Sequence, residues 1–170
     1  MDGAELAYRA LLGRIYSEVL ISDLKDFTIV FDDTPSCVAM ASVVAAMSAA
    51  RGASTSVVAS NELEGEVDNA LLLMSPYVEN LGERALRVLS KVRRLAALHT
   101  PVFYAIEEIE GAARALAGKE VRFGVREAPG EITFYKVRVD GEKLVADVYA
   151  VRKLSPDEQA IVRRYEASHS

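Results

Sequence analysis

Residues 27–31 read FTIVF, residues 32–37 read DDTPSC, and a run rich in Ala, Val and Met then continues to Gly52. An apolar, β-branched run of this kind predicts a buried parallel strand. Thr34 is a suitable N-cap for the helix that follows, and Pro35 suits its first position. Gly52 suits the end of that helix. The stretch therefore predicts a strand–turn–helix unit, and its turn lies where open α/β sheets bind ligands.

Length and composition favour a globular cytoplasmic protein. The chain has 170 residues, half of them hydrophobic, and no apolar run approaches the length of a membrane span. We expect no signal peptide, because Asp2 and Glu5 stand where a basic start would be needed. The single cysteine fits a reducing compartment. The net charge of −5 predicts that direct nucleic-acid binding is weak or absent. One glutamine, three asparagines and an excess of arginine over lysine favour a thermophilic source.

Further elements follow from hydrophobic periodicity. Helical spacing predicts helices over residues 4–21, 35–51 and 81–98, and a helix or turn over 107–117. Continuous apolar runs predict parallel strands over residues 27–31, 54–59, 70–74 and 101–106. The first 118 residues are therefore expected to form an α/β domain, with a parallel sheet of about four strands flanked by helices.

The pattern changes in the last third of the chain. Residues 121–127, 132–139 and 143–151 alternate between apolar and polar side chains, and an Asp-Gly turn at 140–141 separates the last two runs. This arrangement predicts an antiparallel three-stranded meander. Ser155-Pro156-Asp157-Glu158 predicts the start of a final helix with a capping box. We therefore predict a second unit over residues 119–170, packed as one globule with the first.

The turn after the first strand is the candidate ligand-binding site. Its polar side chains are those of Asp32, Asp33, Thr34, Ser36 and Cys37. The helix start offers backbone N–H groups to an anion, but the two carboxylates oppose a phosphate. The competing interpretation is a polar strand end at which Asp33 helps to cap the helix. Cys37 fits a small buried residue better than a nucleophile, because no base is evident beside it.

Other polar groups favour structural roles. The chain has two histidines. His99 is expected to end the helix over residues 81–98, where a cation suits the helix dipole, and His169 lies in the C-terminal tail. Two isolated histidines do not form a metal motif, so we predict no metal site and no cofactor. The basic positions 84, 87, 91 and 94 are expected to form a solvated face of one helix.

Taken as a unit, residues 27–52 resemble the first motif of the DHH phosphoesterase superfamily. In that family a hydrophobic strand leads into D-x-D-x-D-G and then into a helix of small residues. An ungapped match places Asp32 on the first aspartate, Thr34 on the second, Ser36 on the third and Cys37 on the glycine. The aspartate of the family's second motif is replaced within Met74-Ser75-Pro76, and the Asp-His-His motif is absent.

A family-like scaffold that has lost nearly all of its metal ligands resembles the inactive RecJ relatives of archaeal and eukaryotic replisomes. The resemblance implies a non-catalytic scaffold subunit of a DNA replication complex, with no catalytic residues and with GINS and the MCM helicase as protein partners. The alternative is a small α/β enzyme or domain that binds a nucleotide or a sugar phosphate at the strand ends, which rests on topology alone.

The middle strand of the meander offers the candidate docking surface. Alternation places Phe134, Lys136 and Arg138 on one face and residues 135, 137 and 139 on the other. One face is expected to cover the protein's own core. The other would then present an aromatic ring and two cations to a protein partner. A free sheet edge would offer a second route, by strand addition.

Overall fold

The computed structural model describes residues 1–169, which form a mixed α/β fold built on one seven-stranded sheet. The helices are α1 (Gly3–Ile15), α2 (Pro35–Ala50), α3 (Leu81–Leu89), α4 (Thr100–Glu107), α5 (Ala112–Leu116) and α6 (Pro156–Ser168). A π-helical turn over Tyr16–Leu20 continues α1. The strands are β1 (Asp26–Phe31), β2 (Ser54–Ala59), β3 (Val67–Leu73), β4 (Val92–Leu98), β5 (Glu120–Ala128), β6 (Glu131–Asp140) and β7 (Lys143–Lys153).

The strand order is β2-β1-β3-β4-β5-β6-β7. Strands β2, β1, β3, β4 and β5 pair in parallel, and β6 and β7 continue the sheet in antiparallel pairing. The sheet is therefore continuous across the boundary predicted at residue 118. The direction in which strands are added to the sheet also reverses at β1, because β2 lies on one side of β1 and β3 lies on the other. Such a switch point leaves a crevice at the carboxyl ends of β1 and β3.

Two apolar layers enclose the sheet. Side chains from α1, α2 and α6 pack on one face with Phe27 and Ile29, and those from α3, α4 and α5 pack on the other with Val30. Helices α1 and α2 approach closely at Gly13, where an added Cβ would lie 3.0 Å from the carbonyl oxygen of Met40. Glycine at this position therefore permits the close packing of the two helices.

The structure corrects two predicted elements. The helix expected over residues 81–98 ends at Leu89, and residues 92–98 form strand β4 instead. The strand expected over residues 101–106 is part of helix α4. Position 101 is a proline in the first turn of α4, where it suits a helix start and could not donate to a central ladder. The basic positions 84 and 87 thus lie on α3 and position 94 on β4, so they do not form one helical face.

Helix α6 is fixed by the predicted capping box and by an ion-pair network. The Ser155 hydroxyl accepts from the Glu158 amide at 3.2 Å, and the Glu158 carboxylate accepts from the Ser155 amide at 2.8 Å. The buried Glu158 side chain also accepts from Arg152, 2.8 Å from Nη2 to Oε2, and from Arg14. The hydrogen bond from Arg152 is the main reason that the pKa of Glu158 falls to about 2, although burial opposes it.

This network predicts a specific pH dependence. A carboxyl group with a lowered folded pKa stabilises the protein fully above its ordinary pKa, and that stabilisation disappears as the pH falls towards the folded pKa. For Glu158 the window runs from about 4.5 down to about 2. We expect the free energy of unfolding of Glu158→Gln, measured with urea, to fall less steeply across this window than that of the wild type. Parallel pH profiles would contradict the role given to Glu158.

Candidate functional site at the carboxyl ends of the strands

Asp32 lies buried at the switch point, where its carboxylate is fully engaged within the protein. Oδ1 accepts from the Ser60 hydroxyl at 2.6 Å and from Arg84 Nη1 at 2.7 Å. Oδ2 accepts from the Ser75 amide at 2.7 Å and from Arg84 Nη2 at 3.1 Å. An ionised carboxylate has about four lone-pair sites, so these four hydrogen bonds saturate it.

Arg84 is held in position by helix α3 and the loop before it. Its Nε donates to the Glu79 carbonyl at 2.8 Å, and its Nη2 lies 3.4 Å from the Val78 carbonyl oxygen. Burial raises the pKa of Asp32, but the hydrogen bonds from Arg84, Ser60 and Ser75 outweigh burial and leave it below its ordinary value. Asp32 is therefore a carboxylate at neutral pH, and the guanidinium of Arg84 is its counterion.

The other candidate residues of this turn do not converge on one point. Thr34 caps α2 as predicted, accepting from the Cys37 amide at 3.3 Å. Asp33 is exposed, and its side chain forms no hydrogen bond or ion pair within residues 1–169. The Ser36 hydroxyl lies 3.5 Å from that of Thr34. Cys37 is buried, and burial raises the pKa of its thiol, so it is not an activated nucleophile.

No cluster of three or more His, Cys, Asp or Glu side chains suited to a metal ion is found in the described part of the chain. At the end of β3, where a second carboxylate would be needed, Ser75 offers its backbone N–H group to Asp32. Asp32 and Asp33 also diverge, one buried and one exposed. The donor set around Asp32 therefore suits a guanidinium rather than a divalent cation.

A cavity of about 350 Å³ lies beside this turn, on the side of β3, β4 and β5. Among the described residues, the charged side chains that line the cavity are those of Arg9 and Arg126, and no Asp or Glu lines it. Arg126 forms an ion pair with Glu166 of α6. Ser36 and Cys37 of the predicted site also contribute to its wall. The cavity thus has a mostly apolar wall with two cationic side chains, and it lies at the carboxyl ends of the strands.

His99 lies in the wall of this cavity and not at the end of a helix. It follows β4 directly and is the N-cap residue of α4. Its side chain is buried, and Nδ1 lies 2.7 Å from the hydroxyl of Tyr16. Burial, followed by the charge of Arg9, lowers the pKa of His99 to about 3. His99 is therefore neutral at pH 7, and the cationic role expected at a helix C-terminus is wrong.

The buried histidine makes stability dependent on pH in a second window. The unfolded chain takes up a proton on His99 near pH 6.5, whereas the folded chain does so only near pH 3. The contribution of His99 to the free energy of unfolding is therefore expected to fall as the pH drops from 6.5 towards 3. In an NMR titration, the imidazole resonances of His99, identified with His99→Gln, should stay unchanged between pH 8 and pH 4. A titration of these resonances near pH 6.5 would contradict this environment.

No local pattern of residues identifies the partners of Asp32. Arg84 is one of four basic positions whose spacing predicts a solvated helix face. Its side chain instead hydrogen-bonds to Asp32, which lies 52 positions earlier in the sequence. Tyr16 and His99 are 83 positions apart. One local clue existed for Arg84, because it lies in the first turn of the helix after β3. Side chains there can reach the carboxyl ends of neighbouring strands.

Of the three side chains predicted to form a docking face on β6, one is buried and two are exposed. Phe134 is fully buried in the core beneath α1, α2 and α6. The prediction that its ring is presented to a partner is therefore wrong. Lys136 and Arg138 keep 46% and 56% of their side chains exposed, and Arg138 donates to Asp147 of β7 at 2.8 Å. A role of these two cations in partner binding stays a prediction.

No protein-family model matches the chain, and no curated protein is detectably similar to it in sequence. Among residues 1–169, no helix is both long and apolar enough to cross a membrane.

Proposed function

We propose that this protein is a non-catalytic, RecJ-like scaffold subunit of a DNA replication complex, which binds protein partners such as GINS and the MCM helicase. The observation that carries the proposal is the bidentate pair between Asp32 and Arg84. Asp32 is the one metal-ligand position of the DHH motif that this sequence retains. An internal cation bonded to that carboxylate performs the electrostatic role of a metal without its chemistry.

The remaining positions of the motif support the same proposal. Thr34 serves as a helix cap, and Cys37 is buried with a protonated thiol. A two-metal phosphodiesterase needs several carboxylates and histidines around its ions. The groups around Asp32 are instead the Ser60 hydroxyl, the Ser75 backbone N–H and the Arg84 guanidinium. A scaffold that has kept its folding interactions and only one of the metal-ligand positions fits a docking role.

The free edge at β7 is the most suitable docking surface. Strand β7 is eleven residues long and pairs only with β6 in the described sheet. Val148 and Val151 are half-exposed, and their register partners Tyr135 and Thr133 place them on one face. An exposed edge with apolar side chains can accept a partner strand and bury those side chains.

The proposal is tested with purified GINS and MCM from the source organism. Binding of the wild-type chain is compared with that of Val148→Glu/Val151→Glu. The matched control is Val57→Glu, because Val57 is also half-exposed and lies on β2 at the opposite edge. We expect at least tenfold weaker binding for the double variant and unchanged binding for the control. Absence of binding by the wild-type chain to both complexes would overturn the proposed partners, and equal binding by all variants would exclude the β7 edge.

The alternative function, binding of a nucleotide or sugar phosphate, is favoured by the cavity at the strand ends. It predicts a rise in melting temperature with ATP or glucose 6-phosphate, with or without Mn²⁺. The scaffold proposal predicts no change with these compounds. The largely apolar side chains around the cavity favour the scaffold proposal over a strongly hydrated ligand.

A further inference from the structure

Arg9 is a largely buried cation whose partners are all weak. Its side chain is only 12% exposed, and its Nε is buried with no hydrogen-bond partner among the described residues. Its nearest carboxylate oxygen is that of Glu5, 3.7 Å from Nη2, and the Tyr165 hydroxyl lies 3.4 Å from the same nitrogen. Both distances exceed those of a strong charge-assisted hydrogen bond. The Cζ atom lies 5.5 Å from the ring centroid of Tyr8 and 5.7 Å from that of Tyr165, which adds cation–π contacts. No carboxylate oxygen among residues 1–169 lies within hydrogen-bond distance of the guanidinium, so its charge is only partly compensated.

The space next to Arg9 is the cavity at the strand ends. Apolar side chains from α1, α2 and β6, including Leu12, Met40 and Ile132, form much of its wall. Its volume of about 350 Å³ lies at the lower end of the range of small-molecule sites, which is about 300–1,000 Å³. Four of the seven tyrosines also line it, and one of these, Tyr77, is 88% exposed. The cavity therefore combines an apolar interior with one positive charge that is only partly compensated.

His99 adds a polar contact to this wall. Nδ1 is engaged with the Tyr16 hydroxyl, whereas Nε2 has no hydrogen-bond partner within residues 1–169. When the Tyr16 hydroxyl donates to Nδ1, the neutral imidazole carries its proton on Nε2 and can donate it to a ligand. Arg9 and His99 then act together on an anion, one through its charge and the other through a neutral donor.

From these features we propose that the cavity binds a small hydrophobic monocarboxylate, with its carboxylate beside Arg9 and His99 and its apolar body against α1, α2 and β6. The single negative charge of a carboxylate matches the single, partly compensated guanidinium of Arg9. A phosphate monoester brings about −1.5 to −2 charges at neutral pH and needs more donors. The proposal is independent of the scaffold function, since the cavity and the β7 edge share no residue.

The probe for this site is octanoate, with 1-octanol as the neutral control and octyl phosphate as the phosphate control. Calorimetry and tyrosine fluorescence of the full chain should show saturable one-to-one binding of octanoate. We expect octanoate to bind at least tenfold more tightly than either control ligand. The imidazole resonances of His99 should shift on saturation with octanoate.

Three variants test whether octanoate binding depends on the charge of Arg9 in particular or on the loss of any arginine. Arg9→Met keeps the apolar stem and should weaken octanoate binding at least tenfold. Arg9→Lys keeps the charge and serves as the second variant if Arg9→Met does not fold; it should weaken binding several-fold, because the planar fork is lost. Arg93→Met is the control, since Arg93 lies on β4 with 57% of its side chain exposed and does not line the cavity.

Three results would overturn the proposal. The first is an absence of octanoate binding at millimolar concentration. The second is equal or tighter binding of 1-octanol or octyl phosphate. The third is unchanged octanoate affinity in the folded Arg9 variants.

Discussion

Replacing Arg84 with methionine is expected to lower the free energy of unfolding by about 3 kcal/mol. Removing one partner of a buried ion pair costs about 3–5 kcal/mol, because the other charge is left without compensation. The Asp32 side chain is 4% exposed and that of Arg84 is 19% exposed, so the lower end of this range applies. Urea unfolding monitored by circular dichroism measures the difference.

Arg87→Met is the matched control for this prediction. Arg87 lies on the same helix with an exposed side chain, so its replacement should change stability by less than about 0.5 kcal/mol. The double variant Asp32→Asn/Arg84→Met should be more stable than the sum of the single effects predicts, because it leaves no unpaired charge. Additive effects would show that the two side chains are not coupled.

Replacing Phe134 with alanine is expected to cost about 3–5 kcal/mol, the range for buried phenylalanine. Phe134 is fully buried, and its ring covers Gly124 of the neighbouring strand, where an added Cβ would lie 2.7 Å from Cε1. Thermal and urea unfolding of Phe134→Ala measure this loss.

Val148→Ala is the control on the adjacent strand, since Val148 is 57% exposed and should contribute less than about 0.5 kcal/mol. A similar small effect for Phe134→Ala would place its ring outside the core. The expected loss also means that Phe134 variants are unsuitable for testing partner binding, because reduced folding would imitate reduced docking.

The local elements around residues 27–52 could be predicted from the sequence because their signals are local. The strand, the Thr34 cap and the proline at the start of α2 are all present in the structure. The capping box at Ser155 is confirmed as well. Each of these features depends on side chains within four positions of one another, so neighbouring residues suffice to specify them.

The region from residue 81 to residue 107 could not be predicted in the same way. The segment 92–98 reads VRRLAAL and has one β-branched residue, so its composition favours a helix as much as a strand. No Gly or Pro separates it from α3, which removes the usual boundary signal. Pairing with β3 and β5 decides the outcome, and these contacts lie far along the chain.

At the candidate site, too, features set by neighbouring residues could be predicted, and contacts between distant segments could not. The position of Asp32 at a strand end followed from the pattern, but its partners Ser60, Ser75 and Arg84 come from three other segments. Arg9 and His99 likewise meet the cavity from different segments, α1 and the end of β4. A side chain's role as a counterion is fixed by the tertiary fold, which periodicity does not reveal.

The central claim is that Asp32 serves a structural ion pair and not a catalytic metal centre. The most direct measurement is Mn²⁺-dependent release of nucleotides from single-stranded DNA by the purified chain, alongside Asp32→Asn. We expect no release above that of a metal-free control for either protein. Release that requires Mn²⁺ and is lost in Asp32→Asn would contradict it.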